Sequence, residues 1–99
     1  MKVLIKEPDC SVREAEIENT LEAMQAVVGG YIEVVPFTFD DVLVCNEEGK
    51  LRDLPFNFSM PFDDIVGTVF ICCDDGEDFA DVHCTVEEFN KILKDWGNR

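Results

Sequence analysis

The stretch at residues 19–35, NTLEAMQAVVGGYIEVV, constrains the fold more than any other part of the chain. Leu21, Met24, Val27 and Val28 recur at three- and four-residue spacing, which predicts a helix with one apolar face that must pack on another element. The double glycine that follows allows left-handed backbone and predicts the end of this helix. Residues 31–35 are rich in side chains that favour strands. The stretch therefore predicts a helix that folds back on the strand after it.

Capping signals predict the starts of two helices. Asn19 with Glu22 predicts the N-terminus of the first helix, and Thr85 with Glu88 forms the capping-box pattern of a second. The second helix has a regular apolar face, and Gly97 predicts its end. The side chains of that face are Val86, Phe89, Ile92, Leu93 and Trp96.

The remaining apolar patterns predict strands. Residues 2–6 and 12–17 alternate and predict a hairpin at the edge of a sheet. Residues 31–35 and 42–45, with a return at 50–51, predict a meander, and the apolar run at 65–73 predicts the central strand. The predicted fold class is α+β: a mixed or mainly antiparallel sheet of about five strands with two helices packed on one face, in a single domain at residues 1–99.

The excess of acidic over basic residues limits the kinds of partner that the protein is expected to bind. The chain has 22 acidic and 8 basic residues and a formal net charge of −14. Such a surface disfavours direct binding to nucleic acid or to anionic membranes, and it favours a basic protein surface. No apolar run approaches the roughly 20 residues of a membrane helix. We therefore expect a soluble, cytoplasmic protein with a basic protein partner.

The residue types that carry catalysis or metal binding do not form a recognisable pattern. Five cysteines without framework spacing predict reduced thiols packed as small hydrophobic side chains. Cys72 and Cys73 are neighbours on a predicted strand and point to opposite faces, so they and His83 and Cys84 do not predict a zinc site. No phosphate loop or dinucleotide fingerprint is present. We expect no catalytic residues, no metal, no cofactor and no enzymatic activity.

The acidic residues are concentrated in the second half of the chain. Ten lie between Arg52 and Lys91, with no lysine or arginine among them. A row of carboxylates resembles the regular negative charge of DNA and would attract a basic surface. The alternative is that these residues only keep the protein soluble and stabilise helix ends. The predicted partner-binding surface consists of Asp74, Asp75, Glu77, Asp78 and Asp81, with Asp63 and Asp64 beside them.

Residues 54–62, LPFNFSMPF, have no clean period. One interpretation is an irregular loop whose aromatic side chains fill the end of the core. The other is an exposed apolar interface formed by Phe56, Phe58 and Phe62, because exposed apolar patches tend to be binding surfaces. The sequence leaves both interpretations open.

Several short segments of the sequence together resemble a known family: EIENTLEAMQAVVGGYIEVV, NEEGKL, LP-x-N, IVGTVF and DGEDF. The chain is similar, over nearly its whole length, to an uncharacterised domain-of-unknown-function family of small acidic proteins from phages and mobile elements of Gram-positive and gut bacteria. The resemblance is weakest at residues 56–62 and 79–84. It brings no catalytic residues, and it implies a role against host defence, because antirestriction and anti-CRISPR inhibitors are frequently acidic.

Three functions follow as hypotheses. The first is a non-enzymatic acidic protein that inhibits a basic, nucleic-acid-handling defence protein in the bacterial host cytoplasm by presenting a DNA-like surface. The second is a protein that sequesters a small ligand such as a nucleotide, in a pocket between the sheet and residues 54–62. The third is an interaction module that dimerises through the three phenylalanines. The sequence leaves monomer and homodimer open.

Overall fold

A computed structural model describes residues 1–98 of the chain and has the predicted α+β class. The described residues form a large antiparallel sheet, a separate two-stranded hairpin and two helices. The elements in chain order are β1 (Lys2–Lys6), β2 (Arg13–Glu16), α1 (Leu21–Val28), β3 (Ile32–Pro36), β4 (Asp41–Asn46), β5 (Phe56–Met60), β6 (Asp63–Val66), β7 (Val69–Asp74), β8 (Phe79–Ala80) and α2 (Val86–Asp95).

The large sheet has the order β2-β1-β7-β4-β3, and β8 pairs with the end of β7. The predicted hairpin of β1 and β2 at one edge is confirmed, and so is the central position of β7. The predicted single strand at 65–73 is interrupted at Gly67, whose φ of 74° favours glycine. The predicted return at 50–51 is wrong, because β4 pairs with β7 on its second side and residues 47–53 form turns.

The two helices pack on opposite faces of the sheet, so the prediction that both cover one face is wrong. Met24 and Val28 of α1 share a core cluster with Phe70, while Phe89 of α2 lies in a second cluster with Ile71. Neighbouring residues of β7 point to opposite faces, and both sets are apolar. Each face therefore needs its own cover, which one helix on each side provides.

The start and end of α1 show how the central stretch folds. Thr20, and not Asn19, caps the helix, because its side chain accepts the Ala23 N–H. Asn19 instead donates to the carbonyl of Phe79. Gly29 ends the helix with a φ of 80°, as the double glycine predicts. A Cβ at position 30 would lie 2.8 Å from the side-chain nitrogen of Asn46, so the Asn46 amide, which donates to the Val28 carbonyl, would have to shift.

Candidate functional site

One end of the large sheet is strongly acidic. The antiparallel pairing brings the end of β7 beside the starts of β1 and β4, and both helices begin at this end. The positive groups placed there within residues 1–98 are the amino terminus and Lys2, which lie 3.4 Å from Glu16 and 3.9 Å from Glu14. We call this region the acidic end; besides Glu14 and Glu16, its exposed acidic residues are Glu18, Glu22, Asp40, Asp74, Asp75, Glu77, Asp78, Asp81, Glu87 and Glu88.

Much of the acidic loop between β7 and β8 holds its own backbone in place. Asp74 accepts the Gly76 N–H at 2.9 Å, and Asp75 accepts the N–H groups of Glu77 and Asp78 at 3.1 and 3.0 Å. Hydrogen bonds to the ionised form lower the pKa of the Asp75 carboxyl below its usual value. These aspartates therefore fix the conformation of the loop and also give it negative charge.

Two further contacts tie this loop region to the sheet. Asp81 accepts the Lys2 N–H at 2.8 Å, and the Val82 N–H donates to the Lys2 carbonyl at 2.9 Å. Asn19 donates to the carbonyl of Phe79 at 2.9 Å from the start of α1. The five aspartates and glutamates predicted at residues 74–81 thus lie together on one exposed, anchored segment.

Asp41 is the acidic residue whose role the sequence analysis missed. Only 2% of it is exposed, and its two carboxylate oxygens accept the backbone N–H groups of His83 and Cys84 at 3.1 and 2.8 Å. It thereby fixes the segment that leads into α2. The sequence offered one signal for this role, an aspartate next to an apolar strand. Its hydrogen-bond partners lie about 40 residues away along the chain, so the local pattern could not identify them.

Asp63 and Asp64 do not lie beside the acidic loop. Asp63 is paired with Lys50, which lowers the pKa of the Asp63 carboxyl, and both groups are exposed. Asp63, Lys50 and Cys45 lie around the same groove. Cys45 is four residues from Asp41 along β4, a separation of about 13 Å in a strand. The predicted single acidic surface is therefore divided between two ends of the molecule.

A mainly apolar groove of about 550 Å³ lies at this second end. It is bordered by β3 and β4, by the β5–β6 hairpin and by the end of α2. Four carboxylates and one lysine, Lys50, lie around it. We call it the β3 groove; its apolar lining consists of Val35, Pro36, Phe37, Cys45, Leu51, Met60, Pro61, Phe62, Ile65, Val66 and Trp96.

The wall of the β3 groove is a hairpin and not the irregular loop predicted as one interpretation of residues 54–62. Asn57 fixes it to the sheet by donating to the carbonyls of Lys6 and Gly67, both at 2.8 Å. Asn98 fixes it to the end of α2 by accepting the Ser59 N–H and donating to the Ser59 carbonyl, both at 2.8 Å. The hairpin is therefore held both to the sheet and to the end of α2.

The three phenylalanines proposed as an interface have different environments. Phe58 is 2% exposed and packs edge-on against Phe89 at 5.8 Å, so it belongs to the core and cannot form an interface. Phe56 is 54% exposed and Phe62 is 99% exposed. The core interpretation thus holds for Phe58, and Phe62 remains an exposed apolar group at the edge of the groove.

The cysteines are free, and four of the five are buried, as predicted. Burial raises the pKa of Cys45 to about 11, of Cys72 to about 12 and of Cys84 to about 11, which keeps these thiols protonated at neutral pH. Within residues 1–98, no group of three or more histidine, cysteine or acidic side chains is arranged to hold a metal ion.

The fold and these two regions define a small α+β domain with an acidic end and a separate mainly apolar groove. None of the helices in residues 1–98 is long and apolar enough to span a membrane. The chain belongs to the DUF3846 family, a domain of unknown function, whose family model matches residues 1–96. No curated protein and no solved structure gives a significant match.

Proposed function

We propose that the protein is a non-enzymatic binding protein that presents its acidic end to a basic surface of a partner protein. The observation that supports this most is that exposed carboxylates from the β7–β8 loop, from Asp40 just before β4 and from both helix starts lie together, with two positive groups among them in residues 1–98. Such a field raises the rate of encounter with a basic surface and selects against acidic ones.

The proposed partner is a nucleic-acid-handling defence protein of a bacterial host, such as a restriction or CRISPR effector. A basic cleft that binds DNA is complementary to a row of carboxylates held at fixed positions. The anchored loop, with its internal hydrogen bonds at Asp74 and Asp75, supplies such fixed positions without an ordering cost on binding. Phage or mobile-element origin and a cytoplasmic site of action, which the sequence resemblance implies, are part of this proposal.

The test is competition with DNA for purified restriction and CRISPR effectors, measured by the fluorescence anisotropy of a labelled duplex. The variant carries Glu18→Lys, Asp40→Lys and Glu77→Lys, because the described hydrogen bonds of residues 1–98 give these three carboxylates no role in the fold. The matched control, at the other end of the molecule and outside the groove lining, carries Glu7→Lys, Glu48→Lys and Asp95→Lys, whose side chains make at most exposed ion pairs, and it changes the net charge equally.

We expect the protein to displace DNA from an effector, and the acidic-end variant to need at least about tenfold more protein for the same displacement. The control should compete nearly as well as the natural chain, and added salt should weaken competition. Equal competition by both variants would show that overall charge and not the acidic end is responsible. Failure to displace DNA from any effector tested would reject this class of partner.

A further inference from the structure

Strand β3 forms an edge of the large sheet. Among residues 1–98, β4 is its only neighbour in the sheet, so its outer side is free for pairing with respect to these residues. Just beyond the two ends of the β3–β4 pairing, the Glu47 N–H donates to the Tyr31 carbonyl and the Phe37 N–H donates to the Asp41 carbonyl. Antiparallel ladders alternate, so Glu33 and Val35 bond toward β4. The N–H and carbonyl groups of Ile32 and Val34 therefore point outward.

The two edges of the sheet differ in how well they resist pairing. The opposite edge, β2, has the sequence REAE, with charged side chains along an exposed strand. Charged edge strands are a common protection against added strands. Strand β3 has the sequence IEVVP, and 41% of Val34 is exposed. Its Pro36 lacks an N–H only at the last position, so the two outward amides remain.

The β3 groove lies directly beside this edge. Glu33, Val35 and Phe37 are the alternate residues whose side chains line it. A strand added to β3 would continue the sheet, and its own alternate side chains would lie over the groove. Phe62 at 99% exposed and Leu51 at 88% exposed would become covered.

The charges around the groove select the kind of segment that fits. The carboxylates of Glu33, Glu47, Asp63 and Asp64 surround it, and Lys50 is already paired with Asp63. Flanking lysine or arginine side chains of a bound segment would therefore meet unpaired acid. A second copy of the chain is a poor occupant, because each copy carries a formal charge of −14 and would bring its own Glu33 to the same edge.

We propose that the β3 edge and groove bind an extended segment of a partner protein by strand addition. The segment has apolar side chains at alternate positions, which enter the groove, and lysine or arginine flanking this apolar stretch, where they reach the carboxylates around the groove. This surface is separate from the acidic end and provides affinity and sequence preference that charge alone does not. It goes beyond the proposed function and does not depend on it.

The experiment uses three short fluorescein-labelled peptides and the full chain. The first alternates leucine with threonine and has lysines at both ends, the second replaces each lysine by glutamate, and the third is the first peptide with alternate backbone amides methylated. Binding is measured by anisotropy and by the fluorescence of Trp96, which lines the groove. Amide hydrogen exchange of Ile32 and Val34 is measured with and without the first peptide.

We expect the first peptide to bind, to protect the Ile32 and Val34 amides and to change the Trp96 emission. Val34→Pro, which removes an outward N–H, and Phe62→Ala should each weaken binding by about tenfold or more. Phe39→Ala is the matched control, because Phe39 is fully exposed away from the groove. The glutamate peptide and the methylated peptide should bind at least about tenfold more weakly.

Several results would overturn the proposal. Equal binding of the methylated peptide, or unchanged exchange of the two amides, would show that no strand is added. Self-association of the chain in sedimentation experiments that Val34→Pro abolishes would assign the edge to a second copy. If small apolar molecules bind in the groove and none of the three peptides binds, the groove is a site for a small ligand. If Val34→Pro does not fold, the methylated peptide still decides, since it leaves the protein unchanged.

Discussion

Replacing Asp41 by asparagine tests whether this buried carboxylate holds the segment before α2. The carboxylate accepts N–H groups of His83 and Cys84 with separate oxygens. Asparagine retains one oxygen and presents an NH₂ group to the other N–H. A lost hydrogen bond to a charged acceptor costs about 1.5–3 kcal/mol. We therefore expect Asp41→Asn to lower the free energy of unfolding by about 2 kcal/mol.

The size of this effect makes it measurable by ordinary methods. For a domain of this length, each kcal/mol changes the melting temperature by about 4–8 °C, so the expected decrease is about 8–16 °C. Urea unfolding followed by circular dichroism gives the free energy, and hydrogen exchange at His83 and Cys84 locates the loss. Asp40→Asn is the matched control, because Asp40 is exposed, and its effect should stay within about 0.5 kcal/mol. Equal stability of the two variants would refute the role assigned to Asp41.

Three further predictions concern the core, the loop and the thiols. Phe89→Ala should cost about 3–5 kcal/mol in urea unfolding, because Phe89 is fully buried against Phe37 and Phe58, whereas Phe39→Ala should cost under about 0.5 kcal/mol. Asp75 has a lowered pKa in the folded state, so its stabilisation is complete above the unfolded carboxyl pKa of about 3.9 and is lost as pH falls through the lower folded value. The stability difference between the natural chain and Asp75→Asn should therefore shrink below about pH 4; a difference that persists at low pH would contradict this reasoning. With a thiol reagent near neutral pH, Cys10 should react quickly and the four buried cysteines only after denaturation, and rapid reaction of several thiols in the folded protein would contradict the burial described.

Local patterns in the sequence predicted the class of fold and most of the elements. The helix at Leu21–Val28, the capping box at Thr85 and the apolar strands depend on neighbours in the chain, so their spacing was sufficient. The placement of the helices was wrong because it depends on which strand lies between which others. The apolar character of both sides of β7 already implied two covered faces.

The candidate surfaces were predictable only in part. Residues 74–81 lie together because they are close in sequence, whereas Asp63 and Asp64 are separated from them by the path of the β5–β6 hairpin. The β3 groove depends on contacts between residues far apart, such as Asn57 with the Lys6 carbonyl and Asn98 with Ser59. No periodicity in the sequence carries that information.

The position of β1 between β2 and β7 has a consequence for how the chain folds during synthesis. Leu4 of β1 pairs with Ile71 of β7, so the first strand to be synthesised cannot complete its pairing until one of the last strands has been made. Before residues 69–74 emerge from the ribosome, the strand pairs that can form are β1–β2, β3–β4 and the separate β5–β6 hairpin, and each of the first two has an open inner edge. Pairing across long sequence separations is slow and leaves such edges exposed to other chains. The sheet is therefore completed only when β7 has been synthesised and pairs with β1 and β4. Any delay before β7 is synthesised prolongs the period in which the nascent chain is prone to aggregate.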